Sequence, residues 1–156
     1  MTKQKTTRRG FLKTGSMLAV APYVIPSSVL GNEAVPPAGE RIAVGHIGMG
    51  GRGRTLFKET KAAARAQSVA VADCYLDRRE AAAADCKGTA HRDFREILDR
   101  DDVDAVVIAT PDHWHVPICN LAVQAGKHVY VEKPLGLTIN QDLECLKLVE
   151  RQGVVF

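Results

Sequence analysis

The sequence predicts an α/β protein in which helices pack on both faces of a parallel sheet. Two observations lead to this prediction. Short apolar runs alternate with helical segments from residue 41 onwards, in the order β-α-β-α-β-α-β-α-β-α-β. A glycine-rich turn at residues 48–53 separates the first apolar run from the first helix. Such alternation is typical of doubly wound sheets, in which each crossover helix returns the chain to the same sheet edge.

The strands are predicted from short apolar runs between turn residues. The second run, Ser-Val-Ala-Val-Ala-Asp, is continuous enough for a strand that is buried on both faces. The predicted strands are residues 41–47, 68–73, 89–91, 103–109 and 128–132, and a sixth starts at 154–156. The sheet is therefore expected to be cut off near strand six.

The helices are predicted from apolar periodicity and from their end signals. Asp77 is expected to cap the second helix, which ends near Gly88. The last helix opens with a capping box, Thr138-x-x-Gln141, and stops at Gly153. The predicted helices cover residues 51–66, 77–88, 93–98, 116–125 and 138–153.

The glycine-rich turn has the spacing of a dinucleotide-binding fingerprint. Gly48 allows the tight turn, Gly50 lets backbone approach a pyrophosphate, and Gly53 lets the helix pack on the strand. The pyrophosphate would then lie at the amino terminus of the helix, where backbone N–H groups are unpaired. The order of strand, turn, helix and acid favours a Rossmann NAD(P)-binding fold over an incidental glycine-rich turn.

An acid closes the second apolar run, 20 residues after Gly53. There Asp73 is expected to accept hydrogen bonds from the ribose hydroxyls of the coenzyme. Its carboxylate would repel a 2′-phosphate, so NAD is predicted over NADP. Arg52 and Arg54 keep NADP open, because either side chain could turn towards a phosphate.

The charge balance excludes nucleic acid as a predicted partner. The formal net charge is +3, but five basic residues and no acid precede Glu33. The remainder has 16 basic against 18 acidic residues. A basic binding surface is therefore not indicated.

The amino-terminal residues resemble a twin-arginine export signal. Residues 7–13, Thr-Arg-Arg-Gly-Phe-Leu-Lys, precede a modestly apolar run that Pro22 and Pro26 interrupt. We therefore predict a signal peptide at 1–31, a flexible lead-in at 32–40 and a folded domain at 41–156. This implies recognition by the twin-arginine translocase and a periplasmic location. An uncleaved amphipathic anchor remains the alternative.

Cysteines and histidines give no metal site in the sequence. The four cysteines form no C-x-x-C pair, and burial in helices is favoured over disulfides for Cys119 and Cys145. Asp112, His113 and His115 include a His-x-His spacing, but no cysteine or further acid is placed to complete a metal site. No metal is predicted.

Two segments at the ends of later strands complete a pattern that resembles a known family. Residues 110–115, Thr-Pro-Asp-His-Trp-His, follow strand four, and Glu132-Lys133-Pro134 ends strand five. With the glycine turn and Val-Ala-Asp, this ordered set resembles the Gfo/Idh/MocA family of NAD(P)-dependent sugar oxidoreductases. The resemblance extends over residues 41–156.

The resemblance implies roles for particular residues. Taking hydride from a secondary alcohol requires the hydroxyl proton to leave, and a cation at that oxygen stabilises the developing alkoxide. Lys133 matches the catalytic lysine of the family. The cofactor-binding residues implied are Gly48, Gly50, Gly53, Asp73, Thr110, Pro111, His115 and Glu132. The substrate implied is a sugar or polyol.

The family also has a second α/β domain with an Asp-x-x-x-His pair, for which this sequence has no counterpart. That substrate domain is expected to be absent, and homo-oligomers are expected only where it is present. Two alternatives stay open: a nucleotide-binding fragment without turnover, and an NAD-dependent glycosidase. Lys133 argues against the second, because the glycosidase group tends to lack this lysine.

Overall fold

A computed structural model describes residues 27–32 and 36–156 of the chain. The twin-arginine segment lies outside these residues, so the signal-peptide prediction is not tested by the structure. One helical turn, α1 (Ser27–Leu30), and a 3-10 turn (Ala38–Glu40) precede the sheet. In the part of the chain that the structure describes, no helix has both the length and the apolar character needed to cross a membrane.

A five-stranded parallel sheet forms the centre of the fold, which confirms the predicted α/β architecture. The strand order is β3-β2-β1-β4-β5. The direction in which successive strands are added to the sheet therefore reverses between β1 and β4. Ligands of open α/β sheets bind at such a point, at the carboxyl ends of the strands. The strands are β1 (Ile42–Ile47), β2 (Ala66–Ala72), β3 (Thr89–His91), β4 (Ala105–Ile108) and β5 (His128–Val131).

Helices cover both faces of the sheet, and each face has its own apolar cluster. One cluster joins β2 to α2 and α3 through Val71, Phe57 and Ala82, and the other packs α4, α5 and α6 on the opposite face. The helices are α2 (Gly51–Ala62), α3 (Leu76–Cys86), α4 (Arg95–Leu98), α5 (His115–Gln124) and α6 (Ile139–Gln152), with a 3-10 turn at Asp112–Trp114 before α5.

Several helix boundaries differ from the sequence prediction, and the differences at α2 and α3 have an identifiable cause. Helix α2 ends at Ala62 rather than at residue 66, because Ala66 already pairs with Ile42 in the sheet. Asp77 lies in the first turn of α3 and does not cap it; Tyr75 is the capping residue, and its N–H donates to Asp73. The carboxylate at the strand end thus anchors the start of this helix.

The last helix has the predicted ends. The Gln141 N–H donates to Thr138 Oγ1 at 3.3 Å, and Gly153 closes the helix with φ +66°. The Gln141 side chain accepts from the Leu137 N–H instead of from the capping residue. The capping box is therefore at the predicted position. Its second hydrogen bond, to the Gln141 side chain, comes from Leu137, one residue before the capping residue.

The predicted sixth strand does not form over residues 154–156. The Val129 N–H donates to the Val155 carbonyl at 2.9 Å, and the Val155 N–H donates to His128 Nδ1 at 3.0 Å. The segment therefore lies beside β5. It is not a strand because a side chain takes the second bond and the ladder does not continue.

The cysteines are all free thiols. Cys119 and Cys145 are fully buried, as predicted, in the cluster between α5 and α6. Burial raises the pKa of the Cys119 thiol to about 12, so this thiol behaves as a small apolar side chain.

Candidate functional site

The glycine turn brings the end of β1 against the end of β4. Gly48 has φ +90°, and a Cβ at this position would lie 2.7 Å from the Ala109 carbonyl oxygen. A Cβ at Gly53 would collide with the Gly48 carbonyl oxygen, because α2 packs directly on the turn. Only glycine fits at these two positions.

Gly50 has a different environment. A Cβ there would meet no heavy atom within 4 Å, and the residue lines a groove. Gly50 also caps α2 without any side-chain hydrogen bond, so N–H groups of the first turn remain available. This open cradle at a helix start fits the pyrophosphate of a dinucleotide.

Asp73 links the glycine turn to the loop after β2. Its side chain is buried, with the residue 8% exposed. Oδ2 accepts from the Met49 N–H at 2.6 Å, and Oδ1 accepts from the Tyr75 N–H at 2.8 Å. Each carboxylate oxygen can accept more than one hydrogen bond, so these contacts leave capacity for ribose hydroxyls.

A groove of about 540 Å³ opens at this edge; we call it the Asp73 groove. Five of the predicted cofactor-binding residues line it: Gly48, Gly50, Asp73, Thr110 and Pro111. Its floor is apolar, and Trp114, 45% exposed, stands in its wall. Apolar walls with a few placed polar groups are typical of cofactor sites.

Three further residues of this groove were not predicted from the sequence. Tyr75, Arg78 and Arg92 line it beside Asp73, and the Arg78 guanidinium lies 4.2 Å from the centre of the Tyr75 ring. Arg54, which the sequence analysis considered for a phosphate, is not among the lining residues. The first turn of α3 could have indicated Arg78, because helices that follow strands begin at the ligand edge.

A second cavity of about 580 Å³ adjoins the groove; we call it the Lys133 cavity. The two share Ala109 and Thr110, at the end of β4. The predicted residues His115, Glu132 and Lys133 line this cavity, together with Arg52, Asp112 and Tyr130. The structure thus brings both halves of the predicted site to one edge of the sheet.

Arg52 forms an ion pair that the sequence did not indicate. Its Nε donates to Glu132 Oε1 at 2.6 Å, across 80 residues of sequence. The hydrogen bond from Arg52 lowers the pKa of the Glu132 carboxyl, and the same bond raises the pKa of the guanidinium. Arg52 is therefore engaged beside the cavity rather than turned towards a ribose phosphate.

Lys133 lines the second cavity. Its side chain is exposed, and its backbone N–H donates to Glu132 Oε2 at 3.3 Å. The peptide bond between Lys133 and Pro134 is cis. Glu132 Oε1 accepts from Arg52 Nε and Oε2 accepts from this backbone N–H, and Lys133 lines the cavity beside them.

Two polar groups of the site, the His115 ring and the Thr110 hydroxyl, are buried. The His115 ring is 1% exposed and lies against two backbone carbonyls. Thr110 Oγ1, where the two cavities meet, is buried with no hydrogen-bond partner among the residues that the structure describes. An unpartnered hydroxyl at this point fits a site that receives a polar ligand.

Metal-binding clusters are not found in residues 27–32 and 36–156, where no group of three or more His, Cys, Asp or Glu could hold an ion. His113 lines the Asp73 groove, whereas His115 lines the Lys133 cavity. The His-x-His spacing therefore does not bring the two rings to one point.

Comparison with known proteins gives a family match over residues 42–156. The matching family is Gfo/Idh/MocA, described as an oxidoreductase family with an NAD-binding Rossmann fold. Among curated proteins, a glycosyl hydrolase family 109 protein of Solibacter usitatus is 36% identical over 162 residues. That match covers 93% of this chain and 36% of the relative.

Solved structures show the same fold. An NAD-binding oxidoreductase from Klebsiella pneumoniae aligns with a TM-score of 0.68 and 32% identity, covering 73% of this chain and 33% of that one. A 3-ketoreductase from Actinomadura kijaniata, solved with NADP, aligns with a TM-score of 0.69 and 30% identity, covering 73% and 37%. The chain thus spans about a third of the length of these relatives. It belongs to the Gfo/Idh/MocA oxidoreductase family, and residues 42–156 form the NAD-binding Rossmann domain.

Proposed function

We propose that this domain serves an enzyme that transfers hydride between NAD and a secondary alcohol of a sugar or polyol. The observation that supports this most is the junction of the two cavities at Ala109 and Thr110. A coenzyme in the Asp73 groove would extend past this junction towards Lys133. The 3-ketoreductase relative is an oxidoreductase of related chemistry.

The residues of the groove would hold the coenzyme by its adenosine and pyrophosphate. Asp73 would accept from the ribose hydroxyls, and the start of α2 at Gly50 would take the pyrophosphate. When bound, the coenzyme supplies the hydride acceptor or donor. NAD is favoured because the Asp73 carboxylate in the groove would repel a 2′-phosphate.

Lys133 would act on the reacting hydroxyl. An ammonium there stabilises the negative charge that develops on oxygen as the proton leaves. Arg52 supports this role, because it supplies a counter-ion to the neighbouring Glu132 carboxylate, so that Lys133 is not the only cation beside that carboxylate.

The test is turnover of Lys133→Ala in the longest protein that the gene encodes around this chain. Sugar-dependent NADH formation should fall by roughly two orders of magnitude, the scale for losing one charge-stabilising group. NAD affinity, read from Trp114 fluorescence, should not change. Lys147→Ala, at an exposed position on α6, is the matched control. Near-normal turnover of Lys133→Ala would contradict the proposed role, and NAD binding without turnover in the unmodified protein would favour a binding module.

An NAD-dependent glycosidase is the second candidate, favoured by the names of the relatives. The Solibacter relative is named for glycosyl hydrolase family 109, and a Shewanella oneidensis relative, 43% identical over 58 residues, is named alpha-N-acetylgalactosaminidase. Such an enzyme oxidises the sugar transiently and returns the hydride. Release of a chromophore from an α-N-acetylgalactosaminide, without accumulation of NADH, would identify this activity.

We also propose that the protein is exported by the twin-arginine route. The paired Arg8 and Arg9 before Phe-Leu-Lys support this. The Solibacter match covers more of the chain than residues 42–156 can supply, so it extends into the preceding segment. Replacing both arginines by lysine should keep the protein in the cytoplasm, because an ammonium mimics a guanidinium poorly. Unchanged periplasmic accumulation in a fractionation assay would contradict the route.

A further inference from the structure

The ring of His115 is held between two backbone carbonyl groups from different strand ends. Nδ1 lies 2.7 Å from the Pro134 carbonyl oxygen, and Nε2 lies 2.9 Å from the Thr110 carbonyl oxygen. Both partners can only accept hydrogen bonds. A neutral imidazole has a single N–H, so in either tautomer one ring lone pair would face a carbonyl oxygen at less than 3 Å. Only a ring with hydrogen on both nitrogens satisfies both contacts.

We propose that His115 is an imidazolium that acts as a positioning residue, tying the end of β4 to the segment that holds Lys133. One N–H fixes the Thr110 carbonyl at the junction of the two cavities. The other fixes the Pro134 carbonyl, which directly follows Lys133 in the chain. The importance of this tie for catalysis rests on the proposed role of Lys133. The contacts of His115 with the two carbonyl groups do not depend on that role.

This assignment differs from the role that the family resemblance implied. A cofactor ligand needs a ring nitrogen that is free to contact the cofactor. Both nitrogens of His115 are taken by backbone, and the residue is 1% exposed. Thr110 and Pro111 line the groove instead, so His115 acts on the coenzyme site through the backbone of Thr110.

The charges around the ring are mixed. His115 starts α5, whose amino-terminal dipole opposes a cation. The same cavity contains the carboxylates of Asp112 and Glu132 and the cations of Arg52 and Lys133. His113 precedes the ring in the adjoining turn, and on α6 the carboxylate of Asp142 is placed close to the loop at Gly136. Two short bonds from a charged donor act against both the dipole and the loss of hydration in this buried position, because charge-assisted bonds are about twice as strong as neutral ones.

The protonation of the ring can be measured directly in this chain. Long-range ¹H–¹⁵N spectra at neutral pH distinguish a nitrogen that has a hydrogen from one that does not. We expect both His115 nitrogens to give N–H type shifts, and His113, which is exposed, to serve as the internal comparison. A single neutral tautomer for His115 would overturn the proposal, whatever the protein catalyses.

The positioning role is tested by His115→Leu against His113→Leu. In the first variant the backbone signals of Lys133 and Leu135 should shift, together with that of Thr110, while His113→Leu should leave them in place. A folded His115→Leu protein with unchanged Lys133 and Leu135 signals would contradict the role. If this variant does not fold, the ring-nitrogen spectrum of the unmodified chain still decides between the two outcomes.

Discussion

Asp73 serves the fold and the site with the same carboxylate. It accepts two backbone N–H bonds, from the glycine turn and from the start of α3, and it lines the groove. These bonds fix its position before any ligand binds. A preformed acceptor loses little entropy when a ribose hydroxyl joins it, which is the benefit of preorganisation.

Asp73→Asn should weaken the preference for NAD over NADP by about tenfold, or about 1.4 kcal/mol. An amide removes the charge that repels a 2′-phosphate, and Arg78 and Arg92 line the same groove. Titration of both coenzymes against Trp114 fluorescence measures the ratio. Asp77→Asn is the control, because Asp77 is an exposed acid in the first turn of α3, the helix that follows Asp73. An unchanged ratio in Asp73→Asn would show that the carboxylate does not select the coenzyme.

The residues that begin and end a helix were predicted correctly where the interactions that fix the helix end are local in sequence. Gly153 takes a left-handed conformation, and Thr138 accepts from an N–H three residues along the chain. Asp77 was predicted as a cap and is not one, because the helix already begins at Leu76 and Asp77 lies in its first turn. The Asp73 carboxylate, three positions before the helix, instead accepts from the N–H of the capping residue Tyr75.

The glycine turn and α2 form one structural unit, and three of its four glycines, Gly50, Gly51 and Gly53, differ in what they require. At Gly53 the helix packs on the turn backbone, so a methyl group has no space. At Gly51 and Gly50 a methyl group meets no protein atom within 4 Å. Only Gly50 of these last two lines the groove.

Substitution by alanine should therefore give three different outcomes. Gly53→Ala should lower the free energy of unfolding by about 2 kcal/mol or more, because backbone must move. Gly51→Ala, in the helix, should be neutral or stabilise by up to about 1 kcal/mol. Gly50→Ala should keep the stability within about 1 kcal/mol and weaken NAD binding. Urea titrations measure the free energy of unfolding, and titrations of Trp114 fluorescence measure the binding of NAD.

Equal losses of stability for all three variants would contradict this account. A Gly50→Ala protein that binds NAD normally would mean that the pyrophosphate does not approach the turn. Gly51→Ala is the internal control for the helix effect of alanine, since its position is exposed and lies outside both cavities.

The core of the fold contains a histidine whose buried ring favours the neutral form. His46, 1% exposed, lies in β1 with its ring edge-on to Phe57 at 5.0 Å between centres. Nε2 lies 2.9 Å from Ser68 Oγ, and Nδ1 has no partner among the described residues. Burial lowers the pKa of His46 from 6.5 to about 4, because the charged ring would lose its hydration.

Stability should therefore fall as the pH is lowered from about 6.5 towards 4. Over this interval the unfolded chain binds a proton that the folded chain does not, so the free energy of unfolding decreases with falling pH. Between pH 7 and pH 4.5 the loss from His46 should be roughly 2 to 3 kcal/mol, at 1.36 kcal/mol per pKa unit. Urea titrations at the two pH values measure it.

A double variant, His46→Leu with Ser68→Ala, is the control for this prediction. It removes the titrating ring together with its buried partner, so no polar group is left unpaired. Its stability should depend less on pH than that of the unmodified chain by the same roughly 2 to 3 kcal/mol. An equal pH dependence in both proteins would assign acid sensitivity to other groups.

Local sequence determined the elements and the coenzyme turn of this protein. The strand β1, the turn with Gly48 and Gly53, and the helix that follows are consecutive in the chain, and their requirements are steric. The five parallel strands follow from apolar runs of the right length. Residues 154–156 were predicted as the start of a sixth strand; they lie beside β5, but the ladder of a strand does not form there.

Tertiary structure alone decided which of these residues meet. The sheet order β3-β2-β1-β4-β5 brings Arg52 to Glu132, and it brings the carbonyls of Thr110 and Pro134 to the two nitrogens of His115. The position of Arg92 in the Asp73 groove was likewise not visible in the sequence. Contacts within a turn depend on backbone sterics between neighbours, whereas contacts between distant segments depend on how the strands are ordered and packed.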